Sequence, residues 1–464
     1  MADATTRLHN VAGSLEARDL ESIMHPATNL KTHPIRGAHV LRRAEGVYIW
    51  DNAGKQYLEG LAGLWCAALG YGNARLAAVA EAQMRELSYS HLFGGKSHEP
   101  AIALAEKLKS MVSFPAARVF FGNSGSDAND TQIKLMWYYN NALGRPQKKK
   151  IISRLRGYHG VTIGAGSLTG LPNYHKSFDL PLAQIKHVGC PHHYRYGAPG
   201  ETENEFAARL AQELEQTILA EGPDTVAAFI AEPVMGAGGV IVPPADYFAR
   251  VQAVLKKYDV LFIADEVITG FGRTGQVFGC DTYGITPDTM SVAKALSSAY
   301  LPISAVLIPE YLYEPMVEES GRIGSFGHGF TYSGHPVCAA VALENLTIME
   351  EMNLFETVAR ITPHFQSRLH ALAAHPLVGE ARGVGLLGGI ELVADKSTKA
   401  PFDIKRGVAA YCIDACLAHG LILRAIGDVV AMSPPLIITD TQIDELFDKL
   451  ELALADTLRW VRAG

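Results

Sequence analysis

Two apolar runs that each stop on a charged residue constrain this chain more than anything else in it. The first, Val260-Leu261-Phe262-Ile263-Ala264, ends on Asp265-Glu266. The second, Met290-Ser291-Val292-Ala293, ends on Lys294, 29 residues beyond Asp265. Runs with little polar alternation read as strands covered on both faces, the kind found in parallel sheets. Taken singly, Asp265 reads as well as a loop cap and Lys294 as a surface lysine. Ala295-Leu296 directly after Lys294 argue against exposure, and the pair with its spacing is the signal. A desolvated lysine has a lowered pKa and becomes a competent amine nucleophile, while a nearby acid does charge work.

The rest of the chain alternates in the same rhythm. Arg118-Val119-Phe120-Phe121, Ile151-Ile152-Ser153 and Val226 to Ala231 read as strands, and residues 127–143, 205–221 and 246–258 as helices between them. Such alternation predicts a mostly parallel, doubly wound α/β sheet, with ligands at the carboxyl ends of its strands. Ahead of it, residues 1–35 read as an arm with one short helix, Val47 to Leu58 as a hairpin, and 74–87 and 99–111 as amphipathic helices. Beyond Gly334-His335-Pro336, helices over 337–352, 354–374, 406–419 and 441–461 enclose short strands at Gly388 to Leu392 and Leu421 to Arg424. We therefore expect residues 1–65 as an arm and part of a small α+β domain, 66–335 as a large domain, and 336–464 as the rest of the small one.

Composition excludes several classes. With 41 basic and 48 acidic residues and no long basic run, neither nucleic acid nor an anionic membrane is a natural partner. No uncharged apolar run reaches membrane-spanning length, and the N-terminus has acids and arginines early, without a secretory apolar region. Cys66, Cys190, Cys280, Cys338, Cys412 and Cys416 lack disulfide-like or metal-binding spacing. The expectation is a cytoplasmic protein with reduced thiols.

Other candidates lie at predicted strand ends. Gly122-Asn123-Ser124-Gly125-Ser126 before a helix suits a phosphate, but taken alone reads first as a plain serine N-cap; no GK[ST] follows. Tyr158-His159 offers a flat ring for an aromatic cofactor, or ordinary core packing. Cys190-Pro191-His192-His193, with His187 near, has metal-like composition at no recognised spacing, and we expect no metal.

Together these residues resemble the class III aminotransferases, pyridoxal-phosphate enzymes of fold type I. More narrowly they look like the ω-transaminases that use pyruvate. The likeness runs from Glu45-Gly46-Val47-Tyr48 through Gly63-Leu64-Trp65 to Arg424 and Ser433-Pro434-Pro435. It centres on Asp265-Glu266-Val267, Gly270-Phe271-Gly272-Arg273-Thr274-Gly275, Ala293-Lys294 and Thr331-Tyr332-Ser333-Gly334-His335-Pro336. The resemblance implies that Lys294 bonds the pyridoxal 5'-phosphate aldehyde and then shuttles the proton, and that Asp265 pairs with the pyridine nitrogen. It implies that Ser124, Gly125 and Ser126 hold the phosphate, joined by Thr331 of the partner subunit in a homodimer with shared sites, or a tetramer built from it. Tyr158 with His159, Val267 and Glu232 would surround the ring. Trp65, Phe93 and Tyr158 would line the substrate pocket, and Arg424 would bind the carboxylate of alanine or pyruvate. Two positions depart from the pattern: Asp127 where a glutamate is usual, and Ala299 where a glycine is common.

The function expected is transfer of an amino group from an amine or ω-amino acid to pyruvate, giving alanine by ping-pong half-reactions. The alternatives are an ornithine- or GABA-type enzyme that uses 2-oxoglutarate, and a non-catalytic protein on the same fold.

Overall fold

The computed structural model describes residues 11–463. Its first strands, β1 (Leu41–Glu45), β2 (Tyr48–Asp51) and β3 (Gln56–Glu59), form an antiparallel meander. A seven-stranded sheet follows, built from β4 (Ala116–Gly122), β5 (Lys150–Arg154), β6 (Ile185–Val188), β7 (Val226–Ala231), β8 (Leu261–Asp265), β9 (Thr289–Val292) and β10 (Ser304–Pro309). Their spatial order is β4-β10-β9-β8-β7-β5-β6, with β10 antiparallel to both neighbours and the other pairs parallel. The remaining strands are β11 (Val378–Val384), β12 (Leu387–Leu392), β13 (Leu421–Ile422), β14 (Arg424–Ile426) and β15 (Val429–Met432). Strands β11, β12, β15 and β14 make an antiparallel sheet.

The apolar runs are strands because they are enclosed. Every residue of β7, β9 and β10 is buried, as are four of the five in β8. Helices Gly125–Ala142, Glu203–Glu221 and Tyr247–Lys257 cover the sheet, each placing its apolar residues inward. No helix among the described residues is long and apolar enough to cross a membrane.

Three sequence readings need correction. The arm carries two short helices rather than one, Leu15–Ser22 and His33–Arg36; its first ten residues lie outside the described residues. The sequence reading contains no strand at β6, β10, β11 or β15; β6 and β15 are only four residues long. The expected single strand from Leu421 to Arg424 is two. Leu421 and Ile422 pair in parallel with Leu58 and Glu59, whereas Arg424 pairs with Ala431. Arg424 therefore opens a strand instead of closing one, at the point where the chain passes between two sheets.

The end of β8 is tied down by Glu266. Its buried carboxylate accepts from Thr269 Oγ1 at 2.5 Å, Gly279 N at 3.0 Å and Cys280 N at 2.6 Å, so one side chain gathers the whole glycine-rich loop. Burial pushes this carboxyl above its ordinary range, against those donors. Glu266→Ala leaves two buried N–H groups without acceptors, a loss of about 3 kcal/mol or more. Its thermal midpoint should fall clearly, and Glu266→Gln, which keeps one acceptor oxygen, should fall less.

Candidate active site

Asp265 closes β8 and is 2% exposed. His159 Nδ1 donates to its Oδ2 at 2.8 Å, Asn129 Nδ2 donates to the same oxygen at 2.7 Å, and Val267 N donates to Oδ1 at 3.1 Å. Burial pulls this carboxyl upward, and these donors more than offset it, so it lies below the usual carboxylate range. Asn129 also donates to the backbone oxygen of His159 at 2.7 Å, which locks the helix Gly125–Ala142 to the loop after β5. Nothing in its sequence position marked Asn129. The available clue was that a polar side chain one helical turn after a phosphate-type loop faces inward.

Lys294 follows β9 and Ala293, and its φ of 49° lies in the left-handed region. Its side chain makes no hydrogen bond or ion pair with any described residue. Burial lowers the amine below its ordinary value, and the Asp265 carboxylate opposes this without cancelling it. Ala299 takes a φ of 63°, so the shape that a glycine would supply is kept by an alanine.

The loop before the helix Gly125–Ala142 carries the serine N-cap that its sequence allowed. Ser124 is the N-cap, its Oγ accepting from Asp127 N at 3.2 Å, and Asp127 Oδ2 accepts from Asn123 N at 3.1 Å. The aspartate thus serves at the helix start where glutamate is usual. The N–H groups of Gly125 and Ser126 have no intrahelical partners and face outward with the positive end of the helix dipole. Space there is reserved. A Cβ on Gly125 would stand 2.9 Å from Val267 Cγ1, and one on Gly160 would stand 2.6 Å from Ser126 Oγ. Val267 is buried, and Ser126 Oγ accepts from Val161 N at 3.1 Å.

Glu232, 2% exposed at the end of β7, accepts from Tyr158 N at 3.0 Å and from Gly236 N at 3.1 Å. Its carboxyl is pushed up by burial. It holds the backbone that carries Tyr158 rather than bonding Asp265. The Tyr158 ring meets Tyr174 edge-on at 5.6 Å. Trp65, 2% exposed, belongs to a buried cluster with Leu61, Val234, Val240, Ile268, Leu387 and Ala431, between the Asp265 loop and the sheet of Arg424. Arg424 is half-buried, within electrostatic reach of Lys294 and Tyr158, and without a hydrogen bond or ion pair to any described residue.

Phe93 and Thr331 stand apart from this group. With Tyr89 and His91 they line a separate cleft of about 200 Å³, in which Tyr89 Oη donates to Thr331 O at 2.8 Å. Phe93 and Tyr332 are 48% and 59% exposed there, an aromatic surface on a single chain. The His192 region also lies elsewhere. His192 bonds Glu380 at 2.8 Å, and Arg382 Nη1 reaches both Glu380 and Glu391, so a guanidinium sits where a metal would compete. Cys190 packs with Met235 and Ile241.

A lysine of lowered basicity, a buried acid held below the usual carboxylate range and the start of a long helix thus meet at the carboxyl edge of a mostly parallel sheet. The comparisons identify its family. A family model described as Aminotransferase class-III matches residues 31–454. Gamma aminobutyrate transaminase 3, chloroplastic, from Solanum lycopersicum is 54% identical over 419 residues, covering 90% of this chain and 81% of that protein. Among solved structures, the omega transaminase from Pseudomonas jessenii in complex with PMP matches with TM-score 0.96 and 53% identity, covering 97% of this chain and 100% of that one. A transaminase with L-ala matches with TM-score 0.90 and 55% identity, covering 91% and 100%. The chain belongs to the class III aminotransferases, enzymes that depend on pyridoxal phosphate.

The reserved space at Gly125 is open to a direct check. Gly125→Ala drives a methyl group into Val267 and should weaken pyridoxal-phosphate binding about tenfold or more, measured by equilibrium dialysis, with the circular dichroism spectrum unchanged.

Proposed function

We propose that this enzyme transfers the amino group of an amine or ω-amino acid to pyruvate, giving alanine, and that it works as a homodimer. The observation that carries the reading is Arg424: one guanidinium near Lys294 with no acidic partner among the described residues. A lone guanidinium is a bidentate partner for one carboxylate. Pyruvate and alanine bring one; 2-oxoglutarate brings two and needs a second free cation. Arg382 does not offer it, being paired with two glutamates, and the Nε and Nη2 donors of Arg156 are already engaged on Gly238 O. In the second reading, a GABA-type enzyme with 2-oxoglutarate as acceptor, only the donor draws on the name of the tomato relative. That name also favours an ω-amino acid as donor, whose carboxylate would use the same arginine in the other half-reaction.

Pyridoxal phosphate, when bound, supplies an aldehyde for the donor amine and a ring that takes up electrons from the amine-bearing carbon. In this reading Lys294 Nζ, made less basic by burial, takes the proton from that carbon and later returns one. Asp265 stays ionised through His159 and Asn129 and keeps a proton on the ring nitrogen. Gly125 and Ser126 bind the phosphate with Thr331 of the partner subunit, and Tyr158 and Val267 flank the ring. Glu232 keeps Tyr158 in place by accepting its N–H. The exposed aromatic surface around Phe93 and Tyr332 supports the dimer, because a second copy would cover it and bring Phe93 to the substrate. Six free thiols favour a reducing compartment, and we propose the cytoplasm; the tomato relative is named for the chloroplast.

Turnover with a panel of amine donors should give alanine from pyruvate and little glutamate from 2-oxoglutarate; the reverse preference would overturn the acceptor assignment. Arg424→Ala should lower kcat/KM for alanine and pyruvate about 100-fold, the equivalent of about 3 kcal/mol for a charge-assisted pair. The half-reaction with a simple arylalkyl amine should change by less than about fivefold. Equal loss in both would remove Arg424 from carboxylate binding.

A further inference from the structure

Strand β3 ends on a buried carboxylate that the chemistry above does not use. Glu59 is 3% exposed, accepts from Leu61 N at 2.8 Å, and is also bonded by the N–H of Gly63. No lysine or arginine side chain pairs with it among the described residues. The loop it holds, residues 60–69, is strained: Ala62, Gly63 and Trp65 have φ of 50°, 65° and 65°, and two of the three are not glycine. Non-glycine residues in this region persist only where the surroundings over-determine them. The loop also joins the two sides of the site. Leu69 N donates to Ser298 Oγ at 3.1 Å, four residues beyond Lys294, and Gly60 exchanges bonds with Ile422 and Ser433, next to the sheet of Arg424.

We propose that Glu59 is a positioning residue: by holding loop 60–69 it fixes the Trp65 ring, and so sets how the enzyme discriminates between large and small amine donors. The inference rests on the reading in which Trp65 lines the donor pocket.

Burial pushes the Glu59 carboxyl up to about 7, against the two N–H donors. The titratable groups facing it are Cys66 on the same loop and Tyr71 beyond it, both of them raised mainly by burial. Near neutrality, then, Glu59 changes charge. The ionised form offers an acceptor to each N–H; the protonated form turns one oxygen into a donor and slackens the loop. The sign for stability is opposite. Because the folded value is raised from 4.5, the contribution is complete below 4.5 and is lost as pH rises through about 7.

The test is kcat/KM for a bulky arylalkyl amine divided by that for a small ω-amino acid, from about pH 6 to about pH 8.5, a ratio that cancels the titration of Lys294 common to both donors. For the unaltered enzyme this ratio should fall as pH rises through about 7. Glu59→Gln, which cannot ionise, should give a flat profile with the ratio raised about fivefold at the alkaline end. Its thermal midpoint relative to the unaltered enzyme should climb over the same range, a readout independent of turnover. Trp65→Ala is the control for the pocket. If it shifts the ratio while Glu59→Gln does not, the proposal is overturned; if Trp65→Ala leaves the ratio unchanged, the pocket reading fails instead. A flat profile in the unaltered enzyme overturns the proposal without any variant.

Discussion

Asp265 sits at the end of a strand whose other residues are apolar, in a sheet covered on both faces, where an unpaired carboxylate would cost several kcal/mol. Three donors from three segments meet that cost: His159 from the loop after β5, Asn129 from the first turns of the helix Gly125–Ala142, and the backbone of Val267. Each donor fixes something else as it bonds. Asn129 reaches the His159 carbonyl as well, and Val267 packs where a Cβ on Gly125 would stand. The demand for a charged acid in an apolar wall thus sets the spacing between the helix end that suits a phosphate and the acid that suits a ring nitrogen. With Nδ1 of His159 donating to Asp265, its tautomer is also determined.

The same logic recurs around the site. Glu232 and Glu266 are buried carboxyls satisfied by backbone N–H groups, and each organises a loop rather than a salt bridge. Arg154, fully buried, donates to Glu232 O at 2.6 Å and lies over the Phe248 ring at 5.6 Å. Arg273 is 1% exposed, donates to Pro434 O, and is brought down to about 9 by burial. These charges hold backbone in irregular loops, where no ladder of strand or helix bonds is available.

The sequence revealed the large sheet and the acid–lysine pair because both are local patterns: an unbroken apolar run, then one charge. Long helices such as Asp440–Arg462 were equally plain from their periodicity. The second layer was hidden for a physical reason. Asn129 and Glu59 act through neighbours 136 and two residues away, and neither differs in type from a surface residue. The break between β13 and β14 was hidden too, since Leu421 to Arg424 reads as one strand until two different partners compete for it. Thr331 and Phe93 were singled out through family likeness alone, and they share a cleft with Tyr89 and His91.

Seven of the fourteen described non-glycine residues with left-handed φ gather in the same region. Ala62, Trp65, Val240, Phe271, Lys294, Ser298 and Ala299 all have left-handed φ without being glycine, and all belong to segments around Lys294 or Trp65. Each costs about 1–3 kcal/mol, so the set is a substantial debit against a stability of about 5–15 kcal/mol. It persists because each strained segment is bonded at its ends: Leu69 to Ser298, Gly60 to Ile422 and Ser433, Gly279 and Cys280 to Glu266. A relaxed version would be cheaper to fold, but it would turn the Lys294 amine away from the cradle and the Trp65 ring away from its cluster. The backbone is held in the shape the chemistry needs, and the buried carboxylates Glu59, Glu232, Asp265 and Glu266 are what hold it.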